Sequence, residues 1–154
     1  MIPNTIVQYL ATKGVPYVPH HHDRAVSAQQ VAHSIHVTGH RMAKVVIADV
    51  DDQRWIAVLP ASLQVDDHDL AQALGGKRAR FVREEEFAGA FPDCERGAEP
   101  PFGTLYGLPV VVERELAKED RIVFRAGSHE DTVEMAYADY AALERPRLAT
   151  FGWR

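Results

Sequence analysis

Lys44 stands at the head of the apolar run Val45-Val46-Ile47-Ala48. A strand alternates its faces. A lysine at that point either reaches solvent at an edge or points into a cleft, where it offers a fixed positive charge to a phosphate or a carboxylate. The stretch Cys94-Glu95-Arg96-Gly97-Ala98-Glu99-Pro100-Pro101-Phe102-Gly103 brackets two adjacent prolines between glycines. The glycines let backbone come close to a ligand, and the prolines stiffen the path and leave the remaining N–H groups aimed in fixed directions. Such a loop either cradles an oxyanion or a carbonyl, or serves as a rigid structural turn. It is not a phosphate-binding P-loop, because the Gly-Lys-Ser/Thr ending is absent. Gly127-Ser128-His129 falls between two strand patterns. A turn there can set an imidazole over a pocket as base, donor or ligand clamp, or be purely structural. Adjacency of serine and histidine does not make a triad, whose members meet through the fold, and no Gly-x-Ser-x-Gly elbow is present.

The remaining histidines and the cysteine are of types that can do metal and thiol chemistry. His20-His21-His22 is a run, and His33, His36 and His40 recur at i, i+3 and i+7. Two histidines a helical turn apart can share a zinc. His-Glu-x-x-His is absent, however, and Thr38-Gly39 should end the helix before a third ligand. No metal and no cofactor are expected. Cys94 has no lysine or histidine beside it in sequence, only Arg96 nearby, so its thiol is expected to be incidental rather than nucleophilic.

These residues need elements to hold them. Asn4 to Lys13 reads as a helix, with Asn4 as N-cap, Ile6, Tyr9 and Leu10 on one face and Gly14 past its end. Val15–Val18 is a short strand, and the capping box Ser27-Ala28-Gln29-Gln30 opens a second helix to about His36. Ala43–Ala48 and Trp55–Leu59 form a hairpin turning at Asp51-Asp52. Asp66 or Asp67 caps a helix through Leu74 that Gly75-Gly76 stops. Arg80–Val82 is a strand and Glu84–Ala88 a short helix. From Phe91 to Gly107 no periodicity survives, and a loop this long in a compact domain is usually functional or disordered; the apolar Phe91, Phe102, Leu105 and Tyr106 favour order. Leu108–Glu113, Arg121–Arg125 and Thr132–Ala136 are strands, with a break at Ala126–His129, and Ala138–Leu143 is a last helix. Strands interleaved irregularly with helices predict an α+β fold with a mixed, mostly antiparallel sheet flanked by helices.

Length and composition set the frame. With 154 residues, 46% apolar and 25% charged, the chain suits one domain, 1–154, with a real core and no need of metal or disulfide staples. Its apolar runs are too short to span a bilayer, and Met1-Ile2-Pro3-Asn4-Thr5 lacks the features of a signal peptide. A single cysteine excludes an intramolecular disulfide. A cytoplasmic location with no membrane partner is the expectation. The net charge of −5 argues against coating nucleic acid through counterion release. Lys77, Arg78, Arg80 and Arg83 form either a local basic patch or an ordinary solvated surface.

Taken in order, Lys44, the Gly97–Gly103 loop and Gly127-Ser128-His129 resemble the YbaK/prolyl-tRNA-synthetase-associated editing domain family. Gly14-Val15-Pro16-Tyr17 and Ser27-Ala28-Gln29-Gln30-Val31-Ala32 are similar too, so the resemblance covers about residues 5 to 145. It implies a trans-editing aminoacyl-tRNA deacylase acting on the ester of a mischarged small amino acid: alanine on proline tRNA first, with cysteine or serine also admitted. It also implies the acceptor end of aminoacyl-tRNA as partner, with an aminoacyl-tRNA synthetase as a possible second one, and no DNA. The family's lysine falls on Lys44, its catalytic loop on Gly97, Ala98, Glu99, Pro100 and Pro101, and its substrate-binding residues on Phe102, Gly103, Gly127, Ser128 and His129. In this reading Ala98, Glu99, Phe102 and Gly103 supply N–H donors to the ester carbonyl. Lys44 holds a phosphate or ribose oxygen, His129 shapes the pocket or orients water, and Arg41, Lys77, Arg78 or Arg80 help hold the RNA. Two departures stand out: Val45 follows the lysine where threonine or serine is usual, and Glu99 puts a carboxylate inside the loop. Residues 145–154 match nothing in the family and read as a C-terminal tail. The rival readings are a non-catalytic tRNA-, nucleotide- or protein-binding module of the same fold, and a histidine-rich metal-binding protein.

Overall fold

The computed structural model describes residues 1–22, 29, 32 and 38–154. The expected second helix is described only at Gln29 and Ala32, both helical, and His33 and His36 lie outside the described residues. Helix α1 (Asn4–Lys13) buries Ile6 and Leu10, and Gly14 closes it in the left-handed conformation at φ 67°. Its N-cap is Pro3 rather than Asn4, and the Pro3 carbonyl accepts the N–H groups of Ile6 and Val7. Strand β1 is Val18–His21, not Val15–Val18. The N–H of Val15 is spent on the Leu10 carbonyl at the helix end, so the chain becomes extended only three residues later.

The hairpin β2 (Ala43–Val50) and β3 (Gln53–Pro60) is longer than its apolar pattern suggests. Asp51 takes a positive φ at the turn, and its carboxylate accepts the N–H groups of Lys77 and Arg78. After β4 (Gln64–Val65), α2 (Asp67–Ala73) is capped by Asp66, which accepts from the N–H of Asp69. Then come β5 (Ala79–Phe81), α3 (Glu84–Phe87) and a 3-10 turn at Ala88–Ala90. A short helix, α4 (Gly103–Tyr106), interrupts what reads as unbroken loop. Strand β6 (Val110–Glu113) is followed by α5 (Arg114–Ala117), a turn of helix with too few residues to show a period. The rest is β7 (Arg121–Ser128), β8 (Asp131–Ala136), α6 (Tyr137–Glu144), β9 (Arg147–Ala149) and β10 (Gly152–Trp153).

The strands form a five-stranded mixed sheet β5-β2-β3-β6-β9, a three-stranded antiparallel sheet β1-β8-β7 and a small β10-β4 ribbon. The α+β class is as expected, with the strands divided between sheets rather than gathered in one. A parallel bridge between Met42 and Val123 joins β2 to β7 and merges the two larger sheets at one corner. Alternation then sorts the side chains. Ala43, Ile47, Ile56, Val58, Ile122, Phe124, Val133 and Met135 belong to one core, under α1 and the aromatic residues Phe102 and Tyr140. Ala48, Val50, Ala57, Leu59 and Val111 belong to a second core on the opposite face, covered by Leu70 and Phe151.

The segment expected to be a C-terminal tail is part of this construction. Strand β9 pairs parallel with β6, and Phe151 is fully buried. The anchor is Glu113, 1% exposed, whose carboxylate accepts the N–H groups of Phe151, Gly152 and Glu115. A carboxylate so enclosed by donors is satisfied without a counter-ion.

Candidate functional site

The break expected at Ala126–His129 is a bulge inside a longer strand. The register between β7 and β8 shifts between Arg125 and Ser128. Gly127, at φ 87°, turns its backbone away from the ladder and pairs instead with the proline loop: its N–H donates to the Ala98 carbonyl at 2.9 Å, and its carbonyl accepts the Glu95 N–H at 2.9 Å. A β-carbon at Gly127 would fall 2.5 Å from the Pro3 ring, so only glycine fits. The loop is held from α1 as well, where the Thr5 hydroxyl donates to Asp93.

His129 fastens the two pieces together. It is buried, and its N–H donates to the Glu95 carboxylate at 3.1 Å. Its ring Nε2 lies 2.6 Å from the Arg96 carbonyl oxygen, which has no proton to give, so Nε2 carries the hydrogen and donates it. Nδ1 is then the acceptor, 3.2 Å from a guanidinium nitrogen of Arg125. Both ring nitrogens are committed. So bonded, the ring is a strut between loop and sheet. Ser128 is committed too: its hydroxyl donates to Asp131 at 2.9 Å and accepts the Glu130 N–H. Asp131 also takes the amino terminus at 2.7 Å and His21 at 3.1 Å, and His20 meets Glu134 at 3.2 Å. In this structure the Ser128 hydroxyl is thus spent on the turn. Among the described residues no group of three or more His, Cys, Asp or Glu could hold a metal ion.

Within the loop the donors differ from those expected. The N–H of Ala98 is spent on the Glu95 carbonyl. Phe102 is fully buried and packs edge-on against Tyr9 and Phe124, with ring centroids 5.5 and 5.2 Å away. Its size and apolarity draw it into the core, where it anchors the loop. Gly103 starts α4 and leaves no room for a side chain against the Leu108 carbonyl. Pro100 and Pro101 are buried, and the Pro101 carbonyl accepts the Tyr140 hydroxyl at 2.7 Å. The donors that converge are those of Gly97 and Glu99. The Gly97 N–H reaches the Glu99 carboxylate at 3.0 Å, and the Glu99 N–H is a second backbone group that favours the charged form of the same carboxylate. Gly97 reaches this arrangement at φ 83°.

Glu99 is 7% exposed, and burial pushes its carboxyl up from the ordinary range against the pull of those two N–H groups. Arg125 is the charge that answers it; burial holds the guanidinium below its usual value, while Glu99 and Glu84 draw it back up. Arg125 was not singled out in the sequence. Its signal was a charged residue between Phe124 and Ala126 in a strand with one apolar face.

Cys94 is half-buried, its sulfur 3.4 Å from the Tyr106 hydroxyl, and burial raises its thiol to about 11. It is a poor nucleophile at neutral pH, as expected.

Lys44 projects from the face of β2 opposite Ala43 and Ile47, the same face of the merged sheet as Arg125, two residues past the Met42–Val123 bridge. It is half-buried, and burial lowers its ammonium below the ordinary value. It opens into a cleft of about 290 Å³ lined by Gln29, Ala61, Ser62, Leu63, Gln64 and Arg154. The described lining of that cleft includes neither the proline loop nor His129. The structure thus brings the loop and Gly127–His129 together, while Lys44 opens into a separate cleft. Of the basic residues, Arg80 is spent on Glu86 at 3.0 Å and Asp49 at 3.0 Å.

A family model for the aminoacyl-tRNA editing domain matches residues 22–143, which includes Lys44, the whole loop and the His129 turn. The chain belongs to the aminoacyl-tRNA editing domain family. Among curated relatives of this editing domain is the Escherichia coli (strain K12) multifunctional Ser/Thr-tRNA deacylase ProXp-y, 34% identical over 101 residues. That alignment covers 65% of this chain and 60% of the relative's length. Among solved structures, a hypothetical protein superposes with TM-score 0.87 at 15% identity, covering 97% of this chain and 100% of that one. A candidate trans-editing enzyme for prolyl-tRNA synthetase superposes with TM-score 0.83 at 16% identity, covering 97% and 96%. At such identities these two establish the editing-domain fold alone. No helix among the described residues is long and apolar enough to cross a membrane.

Proposed function

We propose that this editing domain hydrolyses the ester of a mischarged aminoacyl-tRNA carrying a small amino acid. The observation that carries the reading is the convergence of the Gly97 and Glu99 N–H groups on one carboxylate. That carboxylate stands where an ester carbonyl oxygen would sit, held by donors arranged before substrate arrives. Substrate takes the place of the Glu99 side chain, and the oxyanion that forms on attack inherits both donors. A lost donor of this kind costs about 10²–10³ in rate.

No protein nucleophile is needed. An aminoacyl ester is already activated, so positioning and charge stabilisation account for most of the required acceleration. Water attacks the carbonyl carbon, and the neighbouring ribose hydroxyl passes the proton to the departing ribose oxygen. Glu95, His129 and Arg125 act as positioning residues for the loop. Lys44, with Arg154 across its cleft, holds a phosphate of the acceptor end. Single-stranded ends are read by local charge and stacking, so an acidic chain can still bind one.

Of alanine, cysteine and serine, serine is the substrate the relative favours, since that protein is a Ser/Thr-tRNA deacylase. Alanine on proline tRNA is the competing assignment, and a synthetase partner goes with it. The test is a deacylation panel of seryl-, threonyl-, alanyl- and cysteinyl-tRNA with the intact chain and Lys44→Ala. Hydrolysis that the variant slows supports the reading. Tight tRNA binding without hydrolysis of any member would make the protein a binding module.

A further inference from the structure

Thr132 sits at the centre of the three-stranded sheet, paired with His20 on one side and Arg125 on the other. It is fully buried, yet its hydroxyl has no hydrogen-bond partner among the described residues. Buried hydroxyls are nearly always bonded, because an unmade bond leaves the full desolvation penalty standing. Both cross-strand neighbours are otherwise engaged: His20 with Glu134 and Arg125 with His129. The face that carries Thr132 is the one opposite Phe124 and Val133, so the hydroxyl does not point into the apolar core. It lies in the sheet floor beside Arg125, whose charge answers Glu99 of the loop.

We infer that Thr132 is a specificity residue whose hydroxyl pairs with the side-chain hydroxyl of the amino acid being removed. The inference rests on the deacylase reading and names its substrate class: β-hydroxy amino acids. In this inference the acyl side chain of an ester held at the Gly97 and Glu99 N–H groups extends toward Arg125 and its cross-strand neighbour Thr132. A hydroxyl there completes the missing bond. A methyl leaves Thr132 unpaired, and a site built to bond a hydroxyl rejects the analogue lacking it more sharply than an apolar pocket sorts by size.

The test uses non-hydrolysable 3′-amide-linked seryl- and alanyl-adenosine, with binding measured by calorimetry on the full chain. The native protein should prefer the seryl compound by about tenfold, the factor one neutral hydrogen bond carries. Thr132→Val keeps the shape and removes the hydroxyl. It should erase that preference while leaving the melting temperature unchanged or higher, since an unsatisfied buried group is gone. Thr132→Ser should retain the preference. Equal binding of the two compounds by the native protein, or a preference that survives in Thr132→Val, overturns the inference. Absence of hydrolysis on every charged tRNA would instead sink the deacylase reading, and the binding ratio would still decide the role of Thr132.

Discussion

Gly97→Ala separates the loop's chemistry from its contribution to stability. At φ 83° a residue with a β-carbon is strained, and the left-handed region costs an L-residue about 1–2 kcal/mol. The new methyl would also lie 3.3 Å from Glu84 Oε1 and 3.3 Å from His129 Cε1. The glutamate end can swing away. The imidazole cannot, because Arg96 and Arg125 hold both its nitrogens. Relief therefore comes from the loop, which carries the Gly97 and Glu99 N–H groups off their common target. A loss of about 1–2 kcal/mol lowers the melting temperature of a domain this size by roughly 2–8 °C. Displacing one of two oxyanion donors should reduce single-turnover deacylation by about 10²-fold or more. The assay is single-turnover hydrolysis of seryl-tRNA at a temperature where calorimetry shows both proteins folded. A variant that melts a few degrees lower and hydrolyses at the native rate would refute the reasoning, because the loop would then be structural only.

Lys44→Ala should cut kcat/KM by about 10–100-fold, the range for a charge-assisted hydrogen bond. It should also flatten the dependence of log kcat/KM on log salt by about 0.7, one phosphate contact on single-stranded RNA; an unchanged salt slope removes the phosphate role. Cys94→Ser should leave the rate within about twofold, since a thiol raised to about 11 is not the attacking group; a loss near 10²-fold would restore thiol chemistry. For Glu99 the folded carboxyl is raised above its unfolded value, so the folded state binds the extra proton. Stability therefore falls as pH rises through and above the carboxylate range, and is unaffected below it. Glu99→Gln, whose amide oxygen can still accept from the Gly97 N–H, should melt higher than the native chain near pH ~7 and alike near pH ~4. The reverse order, or a gap independent of pH, would show that the buried charge is not the cause.

What could be read from the chain followed its periodicities. The Ala43–Leu59 hairpin and α1 were legible because alternation and helical spacing persist over several residues. The helix α4 was not, since Gly103–Tyr106 is too short for a period and begins on a glycine, which ordinarily argues against helix. The tail was misread for a different reason. Phe151 looked unattached because its partner, Glu113, is a charged residue at a strand end, and nothing local says that its carboxylate collects three backbone N–H groups. The site divides the same way. The glycines and prolines of the loop and the Gly127 turn announced themselves by type. Which N–H groups stay free is a matter of tertiary pairing. Ala98 looks as good a donor as Glu99 until Glu95 is seen to take its N–H. Arg125 and Thr132 were invisible because a lone polar residue in a strand reads as its solvent side.

The side chains that look most reactive in this chain are the ones most firmly tied down. Ser128 gives its proton to a carboxylate, His129 presents a donor to a carbonyl and a lone pair to a guanidinium, and Cys94 is raised away from its thiolate. Ser128 and His129 fix the backbone of the bulge and the loop, and Cys94 meets the Tyr106 hydroxyl. A hydrolase of stable amides could not work this way, since it needs an activated nucleophile. An ester already primed for water does not, and a side-chain nucleophile would add a covalent intermediate that must itself be hydrolysed. Rigidity of the amide donors is then the quantity under demand. Spending serine and histidine on holding two N–H groups still is a consistent use of them.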